Sequence, residues 1–394
     1  MSNILKRSVD LLASYGLAIV VLFFLLVLTL LGTIAQVEMG LFEAQKKYFE
    51  SFYLVHEFRM PEALPVVGGA ALPVLLPGAY LLLVVLFVNI LLGAIIRAPK
   101  NWRRPGMLIT HGGILLLLLG GFVTNEFSQR GYMQLYEGES ARTIRSYHDW
   151  EITVTATEGA NAGKAYIIPG ELFTDLESGG ARTFQHPGLP FDLLIEGYMR
   201  NCQPQPAVAA AQGIDGFRLE RLEPAKQAEA NAAGAYATAI TPEGDSHAGI
   251  LFGYAQAPWT FTAGGARYAV KLRKKEFPIP FTIRLDNFIH EMHPGTRMAS
   301  NFESEVTKIE DGSQRRITIR MNEPLRHKGY TFFQASWGPQ NAAPDQALFS
   351  VFEVVRNPAD QWPLYACVVI SFGMALHFMQ KLLAHLKRQN RSRA

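Results

Sequence analysis

The chain has 394 residues, a formal net charge of +3 and a mean hydropathy of +0.09. So small a net charge excludes the strongly basic balance typical of nucleic-acid-binding proteins. The two cysteines, Cys202 and Cys367, lie far apart and form no CxxC pair. Their spacing excludes a disulfide framework, a paired-cysteine zinc site and a covalent CxxCH haem attachment site.

Four apolar stretches predict membrane-spanning helices. Each has about 17–25 residues, the length that a helix needs to cross roughly 30 Å of hydrocarbon. An alternative interpretation of the first is a cleaved signal peptide, because Lys6 and Arg7 precede it and Thr33-Ile34-Ala35 resembles a cleavage site. Its apolar run exceeds the usual signal core of ~7–15 residues, which favours a span. The four stretches are residues 11–35, 77–96, 106–123 and 363–379.

Basic residues flank these spans on one side. They occur in the N-terminal residues 1–10, in the short link 97–105 and in the tail 380–394. The positive-inside rule therefore predicts that these segments, and both termini, are cytoplasmic. The loop 36–76 and the long segment 124–362 then lie outside, which in a bacterium is the periplasmic side of the inner membrane.

The residue pattern of the long segment 124–362 predicts β-structure. Apolar and polar residues alternate in several runs, among them Trp150–Thr157, Phe281–Asp286 and Arg316–Asn322. No strand–helix–strand pattern occurs, so we expect a large, mainly antiparallel β-domain, built as a sandwich or as two small β-units, beside the four transmembrane α-helices. The alanine-rich residues 205–235 predict an exposed insertion that is partly helical or mobile.

His111 is the most informative residue because it lies within the uncharged third stretch. Hydrocarbon cannot form hydrogen bonds with a polar imidazole, so this ring needs a hydrogen-bonding or metal partner within the protein. Imidazole is a common metal and haem ligand, and the adjoining Gly112 and Gly113 leave a bare surface that a flat macrocycle can approach. The alternative is a histidine near the headgroups, hydrogen-bonded to a backbone carbonyl or to Thr110.

His377, near the cytoplasmic end of the fourth stretch, is the second candidate ligand. The predicted topology places it at a depth similar to that of His111, so the two imidazoles could hold one haem iron from both sides. The alternative is that His377 reaches the membrane interface. Outside the spans, His290 and His293 lack a third ligand, and no metal site is predicted. No hydrolase, Walker or dinucleotide-binding motif occurs, and no catalytic residue is predicted.

The chain resembles the ResB (CcsB) family, the System II cytochrome c biogenesis proteins. The four-helix layout with a large domain before the last helix fits this family. The resemblance is most specific at the end of the first span, after the third span, and in the late external segment. The residues that carry it are Leu31–Gln36, the third span with Gly131–Glu139, Pro280–Phe288, Pro294–Thr296, Met321–Leu325, Gly329–Tyr330 and Phe333–Ser336.

The resemblance implies a function and a partner. ResB proteins work with a CcsA-type (ResC) membrane protein, and together they export haem and attach it to the CxxCH cysteines of apocytochrome c. In fused versions a histidine of the third ResB span and one from the partner hold haem b non-covalently in the membrane. His111 is the matching position, and a ligand from the partner makes His377 less favoured. The chain has no Trp-rich haem-handling motif and resembles the ResB half alone.

These observations leave three functional hypotheses. The first is a non-catalytic or co-catalytic subunit of a holocytochrome c synthase that handles haem and presents it or apocytochrome c. The second is a membrane-anchored β-domain scaffold that stabilises a partner without binding haem. The third is an accessory subunit of a sensor or transporter with an external ligand-binding domain.

Overall fold

The computed structural model of the chain folds into two compact units. A helical unit comprises Met1–Ser128 and Asn357–Ala394, and a β-unit comprises Gln129–Arg356. The basic residues 98–104 of the predicted link, the prolines between 60 and 70, and His293 lie outside the described residues. The described residues are 3–59, 71–97, 105–159, 162–207, 213–292, 299–339 and 346–393.

Within the described part of the chain, four helices are long and apolar enough to cross a membrane, which confirms the helical part of the predicted fold class. The last of them continues through the basic tail because lysine, arginine, alanine and leucine all favour helix. The helices are α1 Asn3–Leu12, α2 Tyr15–Met39, α3 Leu41–Tyr48, α4 Ala79–Ile90 with a π-helical continuation Leu91–Ile96, α5 Pro105–Phe127 and α6 Trp362–Arg393. The four candidate spans are Tyr15–Met39, Ala79–Ile96, Pro105–Phe127 and Trp362–Arg391.

The first apolar stretch differs from the prediction because the chain breaks between α1 and α2. Ser14 caps α2, its hydroxyl accepting a hydrogen bond from the Leu17 amide at 3.1 Å. The buried Asn89 of α4 donates to the carbonyls of Leu12 at 2.7 Å and of Ser14 at 2.9 Å. These bonds satisfy backbone groups that a helix break leaves without partners, where hydrocarbon supplies none.

The segment between the first two spans, which was predicted as a loop, contains a short helix and two strands. After α3, strands β1 (Tyr53–Arg59) and β2 (Ala71–Pro77) pair antiparallel, with Tyr53 opposite Pro77. Proline lacks a backbone donor but is tolerated at the edge of a sheet, and a two-stranded hairpin is all edge. The hairpin joins α4 through Gly78, where a Cβ atom would lie 1.9 Å from the Ser51 carbonyl oxygen.

The β-unit contains two hydrophobic cores joined by two long strands. The first core lies between β5-β4-β13-β12 and the four-stranded sheet β6-β7-β10-β11, which together form a sandwich. The second is enclosed by the curled order β15-β14-β13-β4-β3-β18-β17-β16. The strands are β3 Gln129–Tyr136, β4 Ser140–Ala156, β5 Ala165–Pro169, β6 Ala181–Phe184, β7 Asp192–Met199, β8 Cys202–Pro206, β9 Phe217–Arg221, β10 Gly234–Ile240, β11 Ser246–Phe252, β12 Trp259–Ala263, β13 Ala266–Met292, β14 Ala299–Glu310, β15 Ser313–Arg320, β16 Leu325–His327, β17 Tyr330–Gly338 and β18 Phe349–Arg356.

The two long strands β4 and β13 pair antiparallel along both cores. Val154 and Val270 face each other in the first, and Ile144 and Phe277 pair at the second. A sandwich and a second β-unit are therefore both present, and the mainly antiparallel β-domain of the predicted fold class is confirmed. β3 and β18 pair with Gln129 opposite Arg356, so the chain enters and leaves the β-unit on adjacent strands.

The described part of the alanine-rich segment 205–235 is mostly exposed up to Ala230, as its composition suggested, but its end is buried. Its described part includes the hairpin of β8 and β9 and the beginning of β10. Alanines at every second position from 233 to 239 are fully buried in the first core. Alternation of period two puts one row of side chains on the inner face, and alanine, which is only weakly apolar, gives little sign of that burial in the sequence.

Adjacent phenylalanines of β17 provide a test of the second core. Phe332 is fully buried, whereas Phe333 on the opposite face is 37% exposed. Phe332→Ala is expected to destabilise the protein by about 3–5 kcal/mol, because it removes a buried ring and leaves a cavity. Phe333→Ala, the matched control, is expected to cost less than about 1 kcal/mol. Thermal unfolding of the purified full chain measures both, and equal losses would contradict the assigned core.

Candidate functional site

Helices α5 and α6 pack antiparallel along a seam of glycines. Gly106, Gly113 and Gly120 recur every seventh residue of α5 and are all buried. A Cβ atom at Gly106 would lie 2.5 Å from the His377 backbone nitrogen, and one at Gly113 would lie 2.7 Å from Ile370. Small residues let membrane helices approach closely enough for backbone contact, so this seam fixes the register of α5 against α6.

His111 lies on the flank of this seam, directly after Thr110. Its Nδ1 atom is 2.8 Å from the Met107 carbonyl oxygen, one turn back in α5. A carbonyl only accepts, so Nδ1 carries the hydrogen, and in the neutral ring Nε2 keeps its lone pair. The ring is half-buried and makes no other hydrogen bond with the residues that the structure describes. A histidine held in this way by a backbone carbonyl has the tautomer and fixed orientation that metal-binding histidines show.

Gly112 leaves open space beside His111. A Cβ atom built on Gly112 would meet none of the described residues within 4 Å, in contrast to the crowded Gly113. The two adjacent glycines therefore differ in their roles. Gly113 lets α6 approach closely, whereas Gly112 leaves one face of α5 uncovered. A flat ligand has room to approach the helix surface next to the His111 ring.

His377 lies in α6 at the level of Gly106, about 7.5 Å along the helix axis from His111. Side chains of a helix lean towards its N-terminus, and α5 and α6 run in opposite directions, so the two imidazoles lean towards a common level. His377 is half-buried, and its ring lies 6.0 Å from that of Phe378. No hydrogen bond or ring contact joins His111 and His377 among the described residues.

A second polar site, in the β-unit, was not predicted from the sequence. Lys274 of β13 is only 7% exposed, and its Nζ donates to the Tyr147 carbonyl at 2.7 Å. The same ammonium lies 4.1 Å from the centre of the Trp150 ring. Burial lowers the pKa of Lys274 to about 8, although Asp149 and Glu229 oppose the shift. A buried lysine of this kind leaves no periodic signal, since Lys274 is one of several charged residues in β13.

Two further groups of the β-unit are structural. Burial raises the pKa of the Cys202 thiol to about 11, so at neutral pH this cysteine is protonated and a poor nucleophile. Hydrogen bonds from Lys328, Lys308 and His327 hold the pKa of Glu310 down to about 2. Among the residues that the structure describes, no group of three or more His, Cys, Asp or Glu side chains is arranged to hold a metal ion.

Several parts of the chain are similar in sequence to known proteins. Residues 231–348, which run from before β10 to just before β18, match the family model described as the ResB-like family. Protein NrfI of Wolinella succinogenes is 25% identical over 260 residues, which cover 65% of this chain and 26% of that protein. The cytochrome c biogenesis protein CcsB of Microcystis aeruginosa is 32% identical over 110 residues, which cover 23% of this chain and 24% of that protein.

The fold and the site together define a class: a protein with four candidate membrane spans, a large antiparallel β-unit, and a histidine within the third span. Residues 231–348 of the chain are similar to the ResB-like family, and 110 residues are similar to a CcsB protein, which confirms the resemblance seen in the sequence. The matched segments span about a quarter of the length of the two curated relatives.

Proposed function

We propose that this chain is the haem-handling subunit of a System II cytochrome c synthase. The observation that supports this most is the state of His111, with Nδ1 bonded to the Met107 carbonyl, Nε2 available, and open space at Gly112. Nε2 is the nitrogen that would hold haem b, the cargo, without a covalent bond. A second ligand would come from a CcsA-type membrane partner or from His377.

The proposed orientation has both termini in the cytoplasm of a bacterial cell and the β-unit in the periplasm. An ion pair supports one part of it. Arg97 at the end of the second span contacts Asp10 of α1 at 2.5 Å, so the N-terminal segment and the second span meet at the same side. Contact of Gly106 with His377 brings the start of α5 to the basic end of α6. The positive-inside rule makes an end rich in lysine and arginine cytoplasmic.

The proposed role of the β-unit is to dock the partner or apocytochrome c. Thioether formation joins client cysteine thiols to the vinyl groups of haem, and it gains from proximity rather than from a nucleophile of this chain. The high pKa and burial of Cys202 agree with that division of roles, since a protonated, buried thiol does not exchange with a client disulfide.

The space beside His111 gives a test that does not alter the ligand itself. Gly112→Leu fills the bare face of α5 and is expected to reduce co-purified haem about 10-fold. Gly121→Leu is the matched control, because a Cβ atom there also meets nothing within 4 Å and the position lies nine residues further along α5. The absorption spectrum of each variant, purified with the partner, measures haem content.

Unchanged haem in Gly112→Leu, with a folded protein, would contradict a macrocycle beside His111. If the protein then still supported cytochrome c maturation, the scaffold that stabilises a partner without binding haem would replace the present proposal. Equal losses in the Gly112 and Gly121 variants would assign the effect to helix packing in the membrane rather than to this position.

A further inference from the structure

A cavity of about 620 Å³ lies at one end of the second core of the β-unit. Arg142 of β4 lines it, two residues before the buried Ile144, and Arg356 lines it at the end of β18, two residues after the buried Val354. Residues two apart in a strand face the same side of a sheet, so both arginines face the side that encloses the second core. Two guanidinium groups from different strands therefore share one opening.

The cavity carries uncompensated positive charge. Three of its lining residues are cations, and none of those that the structure describes is acidic. Lys328 is neutralised, because its ammonium contacts the Glu310 carboxylate at 2.5 Å, and Glu310 and Asp311 both raise its pKa. Arg142 and Arg356, in contrast, form no ion pair within the described part of the chain. Both are exposed, so an anion can reach them.

Local contacts orient the two guanidinium groups without cancelling their charge. Arg142 donates from Nε to the Ile279 carbonyl at 3.2 Å, and the Arg356 guanidinium lies 5.3 Å from the centre of the Tyr330 ring. A guanidinium has five N–H donors in a planar fork, which matches a phosphate through two parallel hydrogen bonds. Arg142 keeps its four terminal N–H donors for such a ligand, because the contact with Ile279 uses only Nε.

Arg356 also adjoins the membrane-spanning part of the chain. The next residue, Asn357, donates from Nδ2 to the Thr124 hydroxyl oxygen at 3.1 Å. Thr124 lies in the last turn of α5, near the end of the third candidate span at Phe127. The end of a span lies among the lipid headgroups, so Arg356 is one residue away from a contact at that depth. Phosphates of anionic lipids attract basic side chains next to a membrane-spanning helix.

We propose that Arg142 and Arg356 bind the phosphate of an anionic phospholipid in the leaflet next to the β-unit. Pro278, Ile279 and Pro280 line the same cavity and offer an apolar surface to the glycerol carbons. Two uncompensated cations favour a headgroup with a net negative charge over a zwitterionic one, because they repel the cation of the zwitterion. Such a site would exist whether or not the protein handles haem.

Native mass spectrometry of the purified full chain in a neutral detergent tests the site. With equal amounts of dioctanoyl phosphatidylglycerol and dioctanoyl phosphatidylcholine, wild type is expected to retain phosphatidylglycerol preferentially. Arg142→Gln and Arg356→Gln are each expected to weaken phosphatidylglycerol binding about 10-fold, the size of losing one charged hydrogen bond. Arg130→Gln is the matched control, since this exposed arginine of β3 pairs with Val355 and faces away from the second core.

The two cavity variants change different strands, so one still reports on the site if the other does not fold. Equal retention of phosphatidylglycerol by wild type and by the folded cavity variants would overturn the proposal, as would an equal loss in Arg130→Gln. A wild type that does not distinguish the two lipids would also contradict it. Inorganic phosphate at the lipid concentration is expected not to displace phosphatidylglycerol, and displacement would assign the cavity to a soluble anion instead of a lipid.

Discussion

Replacing His111 with glycine is expected to abolish haem retention and cytochrome c maturation. The loss is expected to be roughly 100-fold or more, since even removal of a hydrogen-bond partner from a ligating histidine typically costs about 10–100-fold in metal affinity. Glycine removes the only imidazole of α5 and leaves a gap of its size. The absorption spectrum of the protein purified with its partner, and the amount of holocytochrome c in the same cells, measure the effect.

Two controls separate ligation from structure in this experiment. Imidazole added to the His111→Gly variant is expected to restore the haem spectrum, because it can enter the vacated space and ligate iron; a purely structural defect would not respond. His377→Ala is expected to retain haem if the partner supplies the second ligand, and to lose it if His377 does. A His111→Gly protein with normal haem content would contradict the proposed haem-handling function.

The glycine seam between α5 and α6 gives the second large effect. Gly106→Ala is expected to destabilise the helical unit by about 1–3 kcal/mol, because its Cβ atom would lie 2.5 Å from the His377 nitrogen and 2.6 Å from the Gly373 carbonyl oxygen. Backbone atoms cannot rotate away as a side chain can, so one helix must shift. Denaturation of the purified protein in detergent, followed by helix content, measures the loss.

Gly112→Ala is the matched control for this substitution. Its Cβ atom meets nothing within 4 Å, and alanine favours helix over glycine by about 1 kcal/mol, so stability is expected to rise slightly. Gly113→Ala is expected to be milder than Gly106→Ala because its nearest contact, at 2.7 Å, is the Ile370 side chain. If Gly106→Ala and Gly112→Ala behaved alike, the close antiparallel packing of α5 and α6 would be wrong.

A change in the register of α5 against α6 is expected to affect function as well as stability. His377 contacts Gly106 and therefore moves with any shift of α6 along α5. His111 is held by a bond within α5 alone, to the Met107 carbonyl. A seam variant is thus expected to keep the His111 tautomer while displacing His377, so a haem defect in Gly106→Ala would favour a site that includes both helices.

The sequence predicted the elements that have long periodic patterns. It did not predict features that depend on contacts between distant residues. The four spans and the antiparallel β-domain follow from uninterrupted hydropathy and from alternation of period two. The break before Ser14 depends on Asn89, which lies 75 residues away in the sequence. The sequence near Asn89 does not show this contact, because a single polar residue in an apolar stretch does not reveal its partner.

By itself the sequence determined the class of the protein, the membrane segments, the ResB-like resemblance and the choice of His111. These follow from composition and local periodicity, which the solvent imposes on each segment separately. Only the tertiary structure decided which nitrogen of His111 is available, which glycine of α5 is crowded, and that Lys274 is buried beside the Trp150 ring. The crowding of the α5 glycines and the burial of Lys274 depend on contacts between distant parts of the chain. The available nitrogen of His111 depends on how its ring is oriented within α5, which no residue pattern records.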